Sequence, residues 1–118
     1  MPSQRGPRRL TPAQARQRIT RGHAALLDVR ETYEWTAGHA PDAAHAPLTR
    51  LLAGAALPPS AQGRPIIVIC RSGNRSRQAV EILANSGVEA TDVTGGMVAW
   101  AAEGLPVVDD RGDTGFIA

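Results

Sequence analysis

Residues 65–77 read PIIVICRSGNRSR, and this stretch says more about the fold than any other part of the chain. The four β-branched residues Ile66–Ile69 predict a strand that is buried in the core. The only cysteine, Cys70, follows this strand, and a short polar loop separates it from a helical pattern that begins at Arg75. The sequence therefore places a thiol between the end of a buried strand and the start of a helix, with several arginines nearby.

These surroundings predict that Cys70 is reactive. Helix N-termini and nearby cations favour the ionised thiolate, and the backbone N–H groups of residues 71–76 could form a nest for an anion. Gly73 is the loop position where the backbone can take a positive φ at no steric cost. A lone cysteine after an apolar strand is more often a small buried hydrophobic residue. The arginines, the glycine and the helix start together favour a nucleophile.

Apolar and amphipathic segments alternate along the rest of the chain. Further strands are predicted at Ala24–Val29, Ala43–Ala46 and Val88–Val93. A first helix is predicted to begin at Pro12, after a Thr11 N-cap that forms a capping box with Gln14, and to stop at Gly22. Four further helices are predicted at Glu31–Ala37, Thr49–Leu57, Arg75–Asn85 and Met97–Glu103. This alternation predicts an α/β layered fold with a mainly parallel sheet. Ligands of such sheets bind where the strands end, and Asp28 and Cys70 both lie at strand ends.

The length of 118 residues predicts one domain. We expect the domain to span residues 10–107, after a flexible Arg/Pro-rich arm at 1–9 and before a polar, loosely held tail at 108–118. The arginines of the arm could contact nucleic acid or an acidic partner, but a solvated tail is the favoured interpretation. No apolar run approaches the roughly 20 residues of a membrane span.

Composition narrows the chemistry. All 13 basic residues are arginine, so the chain has no lysine for a Schiff base, and the net charge is only +2. One cysteine excludes an internal disulfide and any Cys-x-x-Cys site, and it fits a reducing compartment, so a cytoplasmic location is expected. The histidines at positions 23, 39 and 45 are too scattered, with too few acidic or thiol neighbours, to predict a metal site.

The segment Cys70–Ser76, CRSGNRS, resembles the active-site loop of the rhodanese-like sulfurtransferases. Three more segments resemble landmarks of that family in the same order and spacing: LDVRE at 27–31, EWTAGHAPDA at 34–43 and GGMVAW at 95–100. Together they cover about residues 10–107. The chain departs from the family pattern at Ala40, where a branched apolar residue is common, and at Asp42, where glycine is common. The resemblance implies a three-layer rhodanese-like fold with a central, mainly parallel sheet flanked by helices.

The resemblance also implies a reaction. Cys70 would attack the outer sulfur of a donor such as thiosulfate and become a persulfide, and an acceptor nucleophile would then take that sulfur. Neither a metal nor an organic cofactor is implied. Donor and acceptor would be small molecules or proteins, with no nucleic acid and no membrane involved. The loop positions implied to bind substrate are Arg71, Ser72, Gly73, Asn74, Arg75 and Ser76, with Asp28 and Arg30 in support.

Two alternatives stay open. The first is a binding or regulatory module of the same fold without turnover, although such relatives usually lack the cysteine. The second is a phosphatase or arsenate reductase, whose related loops have the spacing Cys-x5-Arg. Cys70 and Arg75 have the shorter spacing Cys-x4-Arg, which favours enclosing one sulfur atom over a tetrahedral phosphate.

The neighbouring side chains have more modest expected roles. We expect Arg71 to face the pocket and attract an anionic donor, and Arg75 to stabilise the loop through carbonyls or a carboxylate, with Asp28 as a candidate partner. Arg30 is expected to pair with Glu31 or Glu34. Packing is the expected role of Trp35 and Trp100, and His39 is expected to be structural.

Overall fold

The computed structural model describes residues 9–118, and a four-stranded parallel sheet forms its centre. The strands are β1 (Ala25–Asp28), β2 (Ala44–His45), β3 (Ile66–Ile69) and β4 (Ala90–Asp92), in the order β2-β1-β3-β4. β1 and β3 pair along their whole length, with Asp28 opposite Ile69. Because all pairings are parallel, the C-terminal ends of the strands meet at one edge of the sheet. The predicted α/β class is confirmed.

Two layers of helices cover the sheet. The α-helices are α1 (Pro12–Thr20), α2 (Thr32–Ala37), α3 (Leu48–Leu52), α4 (Arg75–Asn85) and α5 (Gly96–Ala102), and a 3₁₀ helix spans Pro59–Ala61. On one face of the sheet, Leu27 and Val68 pack with residues of α3 and α4. On the other face, Leu26 and Ile67 pack with residues of α1 and α5. Successive strand residues point to opposite faces, so β1 and β3 are buried on both sides and the three-layer architecture follows.

The start of α1 matches its predicted capping box. The Gln14 N–H donates to Thr11 Oγ1 at 3.1 Å, and the Thr11 N–H donates to Gln14 Oε1 at 3.0 Å. The helix stops as predicted at Gly22, whose φ is +74°. This reciprocal bonding satisfies two of the free N–H groups that every helix start leaves.

Two element boundaries differ from the predictions by two residues or more, and several others differ by one residue. Helix α3 ends at Leu52 rather than Leu57, because the chain leaves the helix at Gly54, where φ is +86°. Strand β4 begins at Ala90 rather than Val88, because the Val88 N–H still donates to the Leu83 carbonyl at the end of α4. In both places local backbone geometry overrides an apolar pattern.

The first described residues are attached to the sheet. Leu10 forms a parallel bridge with Val93, and its N–H donates to the Asp92 carbonyl at 2.8 Å. Arg9 is thereby held at the end of β4, in contrast to the prediction that it belongs to a flexible arm. The rest of the predicted arm, residues 1–8, lies outside the described residues.

The segment predicted as a loosely held tail returns to the domain. Val108 forms antiparallel bridges with His39 and Thr114, and the Phe116 N–H donates to the Ala37 carbonyl at 3.0 Å. Gly38 permits this contact, since a Cβ there would lie 2.7 Å from the Phe116 nitrogen. Within residues 9–118, no helix is long and apolar enough to cross a membrane.

Candidate active site

The loop between β3 and α4 closes around the sulfur of Cys70. The backbone N–H groups of Gly73 and Ser76 both donate to Cys70 Sγ, each at 3.2 Å. Cys70 is only 1% exposed, so its sulfur lies inside the loop rather than on its surface. Two N–H dipoles directed at one sulfur stabilise negative charge on that atom. The predicted nest is therefore formed by residues 73 and 76.

Gly73 is where the loop depends on glycine. Its φ is +99°, a region that side-chain-bearing residues rarely adopt. A Cβ at this position would also lie 2.7 Å from Arg9 Nη2 and 3.2 Å from the Gly95 nitrogen. The backbone conformation therefore disfavours any larger residue, and an added Cβ would displace the Arg9 guanidinium.

The start of α5, which follows the neighbouring strand β4, supports the same loop through hydrogen bonds. The N–H groups of Met97 and Val98 donate to the carbonyls of Cys70 and Arg71, at 2.8 and 3.0 Å. Gly96 allows this approach: its φ is +58°, and a Cβ there would collide with the carbonyl oxygen of Cys70. The N–H groups of Met97 and Val98 thus satisfy two loop carbonyls that would otherwise lack a partner.

Arg75 stabilises the loop through Glu34, a residue of α2. Its Nη1 and Nη2 donate to Glu34 Oε1 and Oε2 at 2.7 and 2.9 Å. This bidentate bond lowers the pKa of the Glu34 carboxyl, against the effect of burial, and raises the pKa of Arg75. The role predicted for Arg75 is supported, but Asp28 as its partner was wrong, because the guanidinium extends to α2 instead of the end of β1.

Asp28, at the end of β1, pairs with Arg30. Arg30 Nη2 donates to Asp28 Oδ2 at 2.7 Å and to the Gly38 carbonyl at 2.7 Å, and both ionic side chains are 0% exposed. The predicted pairing of Arg30 with Glu31 or Glu34 was wrong, since Glu34 is taken by Arg75. The Nη1 nitrogen of Arg30 has no hydrogen-bond partner among the described residues. This pair fixes the path of the chain from β1 into α2.

A third ion pair, Arg9 with Asp92, was not predicted. Arg9 Nε donates to Asp92 Oδ1 at 2.9 Å, and Arg9 Nη2 donates to Asp92 Oδ2 at 3.0 Å and to the Gly73 carbonyl at 2.7 Å. Asp92 Oδ2 also accepts the Ser76 hydroxyl at 2.6 Å. A carboxylate ending a strand beside the one that carries Cys70 was the available signal for Asp92. For Arg9, nothing in the sequence distinguished it from its neighbours.

The other predicted loop residues lie at the surface. Arg71, Ser72 and Asn74 are exposed. Arg71 Nε donates to the Ala118 carbonyl at 2.9 Å, so the end of the returning segment lies beside the cysteine loop. The side chain of Arg71 is therefore next to Cys70 in the chain and directed to the rim of the site.

The two tryptophans pack against other residues, as expected. Trp35 stacks on His39 and on His45, with ring centroids 3.6 and 4.8 Å away. Trp100 is buried, and its indole N–H donates to the Pro106 carbonyl at 2.9 Å. His39 Nδ1 lies 2.7 Å from the Trp35 carbonyl oxygen, consistent with a structural role. In the part of the chain that the structure describes, no group of three or more His, Cys, Asp or Glu side chains could hold a metal.

The sequence profile of one protein family matches most of the chain. That family is described as "Rhodanese-like domain", and its profile matches residues 11–103. The chain belongs to the rhodanese-like domain family.

Two individual proteins are similar in sequence to this chain. The chain is 39% identical over 87 residues to the uncharacterized protein slr1261 of Synechocystis sp., a match that covers 73% of this chain and 48% of the relative. It is 34% identical over 93 residues to the adenylyltransferase and sulfurtransferase UBA4 of Yarrowia lipolytica, covering 79% of this chain and 23% of that protein. The chain thus spans about half or less of the length of these relatives.

A solved structure gives the same result. The crystal structure of a rhodanese-related protein from Thermoplasma volcanium superimposes with a TM-score of 0.73 at 32% identity. The match covers 86% of this chain and 98% of the other. The rhodanese-like fold implied by the sequence motifs is confirmed.

Proposed function

We propose that this protein is a sulfurtransferase that carries sulfane sulfur on Cys70, from a donor such as thiosulfate to a nucleophilic acceptor. The observation that supports this most is the pair of N–H donors at 3.2 Å from Cys70 Sγ. Such donors stabilise a thiolate before the reaction and the negative charge of a persulfide after it.

The reaction proceeds in two displacement steps. The Cys70 thiolate attacks the outer sulfur of the donor and forms a new S–S bond. The former S–S bond breaks, and with thiosulfate the leaving group is sulfite, which takes the electron pair. The acceptor then attacks the outer sulfur of the persulfide, and Cys70 leaves as a thiolate. The cycle is a covalent, ping-pong mechanism with no external oxidant or reductant.

Burial of the sulfur limits the donor. Because Cys70 is only 1% exposed, a donor that presents a single terminal sulfur fits better than a bulky ester. The guanidinium of Arg71, at the rim beside Cys70, would attract the anionic part of such a donor. The bond from Arg71 to the Ala118 carbonyl is exposed to solvent and would have to exchange when the donor binds.

Intact-protein mass spectrometry after incubation with thiosulfate tests the proposal. The wild-type protein should gain the mass of one sulfur atom, a reducing thiol should remove it, and Cys70→Ser should not gain it. If no persulfide forms with thiosulfate or with any other sulfane donor, the proposal is wrong. A stable protein partner in pull-downs and no rate above that of Cys70→Ala would then favour a binding module. Hydrolysis of an aryl phosphate, lost in Cys70→Ser, would favour a phosphatase instead.

Two further points belong to the same proposal. We propose that the sulfur donor and acceptor are small molecules or other proteins; the relative from Yarrowia is named an adenylyltransferase and sulfurtransferase. A free thiol that must remain reduced between turnovers suits a reducing compartment such as the cytoplasm.

A further inference from the structure

The two amides that contact the sulfur share one anchor outside the loop. Gly73 donates to Cys70 Sγ through its N–H, and its carbonyl accepts Arg9 Nη2 at 2.7 Å. Ser76 donates to the same sulfur through its N–H, and its hydroxyl donates to Asp92 Oδ2 at 2.6 Å. Arg9 and Asp92 are in turn joined by two hydrogen bonds. Each sulfur-facing residue is therefore attached to the same ion pair.

We infer that the Arg9–Asp92 pair positions the Gly73 and Ser76 amides around the reacting sulfur, so that Arg9 and Asp92 are positioning residues for the proposed sulfur transfer. The inference rests on the proposed function and adds to it two residues from outside the cysteine loop. It also gives a role to Arg9, which the pairing of Leu10 with the end of β4 brings to the loop.

The conformation of Gly73 explains why an anchor is needed. With φ at +99°, glycine has no Cβ to restrict its backbone, so the direction of its N–H depends on what holds the adjoining peptide groups. The bond from Arg9 to the Gly73 carbonyl fixes the following peptide group. With that peptide group held, fewer combined rotations about Gly73 remain by which its N–H could turn from Sγ.

The Arg9–Asp92 pair is suited to this task by its partial burial. The Asp92 side chain is 4% exposed and that of Arg9 is 37% exposed. The hydrogen bond to Asp92 raises the pKa of Arg9, so the guanidinium stays charged. Arg9 uses its planar fork to bind a carboxylate and a carbonyl at once, which the single ammonium of lysine cannot reproduce in the same geometry.

The test is the rate of persulfide formation from thiosulfate in a single turnover. It is measured for Arg9→Gln, Arg9→Lys and wild-type protein. We expect the maximal rate to fall roughly 10- to 100-fold in both variants, less than the loss on removing an oxyanion donor outright. The thiosulfate concentration for half-maximal rate should change little, since Arg9 acts through Gly73. Full activity in Arg9→Gln would overturn the inference. A wild-type rate in Arg9→Lys would also overturn it, because charge alone would then suffice.

Two control variants separate positioning from stability. Arg64→Gln removes another arginine-to-glycine-carbonyl bond, from Arg64 to Gly22, and should retain the wild-type rate. Leu51→Ala removes a buried side chain of α3, so it should lower the melting temperature and retain the rate. If the rate falls in Leu51→Ala as much as in Arg9→Gln, the loss follows stability alone and the inference is wrong.

A measurement without sulfur transfer keeps this inference distinct from the proposed function. The ultraviolet absorbance of the thiolate at neutral pH, with Cys70→Ser as blank, reports how well the amides stabilise the charged sulfur. It should be smaller in Arg9→Gln than in wild-type or Arg64→Gln protein. Equal absorbance would overturn the inference, even if the wild type forms a persulfide. Absence of a persulfide in the wild type, with the expected absorbance difference, would overturn the proposed function alone.

Discussion

Two ion pairs near the C-terminal edge of the sheet have the same length but different surroundings. Asp28 and Arg30 are 2.7 Å apart, and both side chains are 0% exposed. Glu34 and Arg75 are also 2.7 Å apart, but the Arg75 side chain is 34% exposed. The first pair joins residues two apart at the end of β1, and the second joins residues 41 apart and connects α2 to the cysteine loop.

The two pairs differ in what they support: the buried pair stabilises the fold, and the partly exposed pair positions the cysteine loop. A fully buried charge cannot be left without its partner at low cost, because no water replaces the lost bonds. The Asp28–Arg30 pair should therefore affect stability most. A partly exposed pair contributes little to stability, yet Glu34–Arg75 determines where the start of α4 lies. Breaking it should affect activity more than folding.

The largest expected effect comes from Asp28→Asn. This change leaves the Arg30 charge buried without a carboxylate, so the free energy of unfolding should fall by about 3–5 kcal/mol. Urea unfolding of the two proteins measures it. Asp110→Asn, at an exposed carboxylate, should stay within about 0.5 kcal/mol of wild type. Equal stability of Asp28→Asn and Asp110→Asn would refute the distinction drawn from burial.

Gly73→Ala changes the cysteine loop itself and leaves the Asp28–Arg30 and Glu34–Arg75 pairs intact. The new Cβ would meet Arg9 Nη2 at 2.7 Å, so the residue 73 amide should turn from the sulfur and the sulfur-transfer rate should fall on the order of 100-fold. Gly87→Ala is the matched control, because φ there is also positive, at +82°, with nothing within 4 Å of the added Cβ. It should retain activity; a similar loss in both variants would mean that backbone strain alone is responsible.

Arg75→Lys should have an intermediate effect. Lysine keeps the charge but loses the bidentate bond to Glu34, so we expect roughly a tenfold lower rate, which corresponds to about 1.4 kcal/mol. Arg77→Lys, on the exposed side of α4, is the control and should stay near wild type. Steady-state kinetics of both variants decide this, and comparable rates would contradict the role assigned to Arg75.

The smallest expected effect is the contribution of Glu34 to stability at acid pH. Its pKa is lowered in the folded protein, mainly by Arg75. Its contribution is therefore full above the ordinary glutamate value of about 4.3 and is lost as the pH falls through the folded value. The difference in unfolding free energy between wild type and Glu34→Gln, up to about 1 kcal/mol, should shrink below about pH 4. As a control, Glu103→Gln, at an exposed site, should leave the unfolding free energy within about 0.5 kcal/mol of wild type at neutral pH.

Local features of the site were predictable from the sequence. The run Ile66–Ile69 and the helix Arg75–Asn85 have the predicted bounds, because a β-branched run and an amphipathic helix are determined by neighbouring residues. The need for glycine at position 73 was also visible, since a tight loop requires a positive φ there. These features depend on interactions over a few residues.

The partners of the charged residues were not predictable. Arg75 meets Glu34 across 41 residues, and Arg9 meets Asp92 across 83. Several carboxylates lie at the ends of strands or in the first turns of helices, and only the packed structure decides which one a given guanidinium reaches. Arg9 looked like part of a flexible arm because nothing near it in sequence reveals that Leu10 joins the sheet.

The central claim is that Cys70 carries sulfur while two amides and their supporting residues hold it. The most direct test is the intact mass of wild-type protein and of Cys70→Ser after exposure to thiosulfate, followed by addition of an acceptor thiol. We expect one added sulfur atom on the wild-type protein only, and we expect the acceptor thiol to remove it. No added sulfur on the wild type, or the same addition to Cys70→Ser, would contradict it.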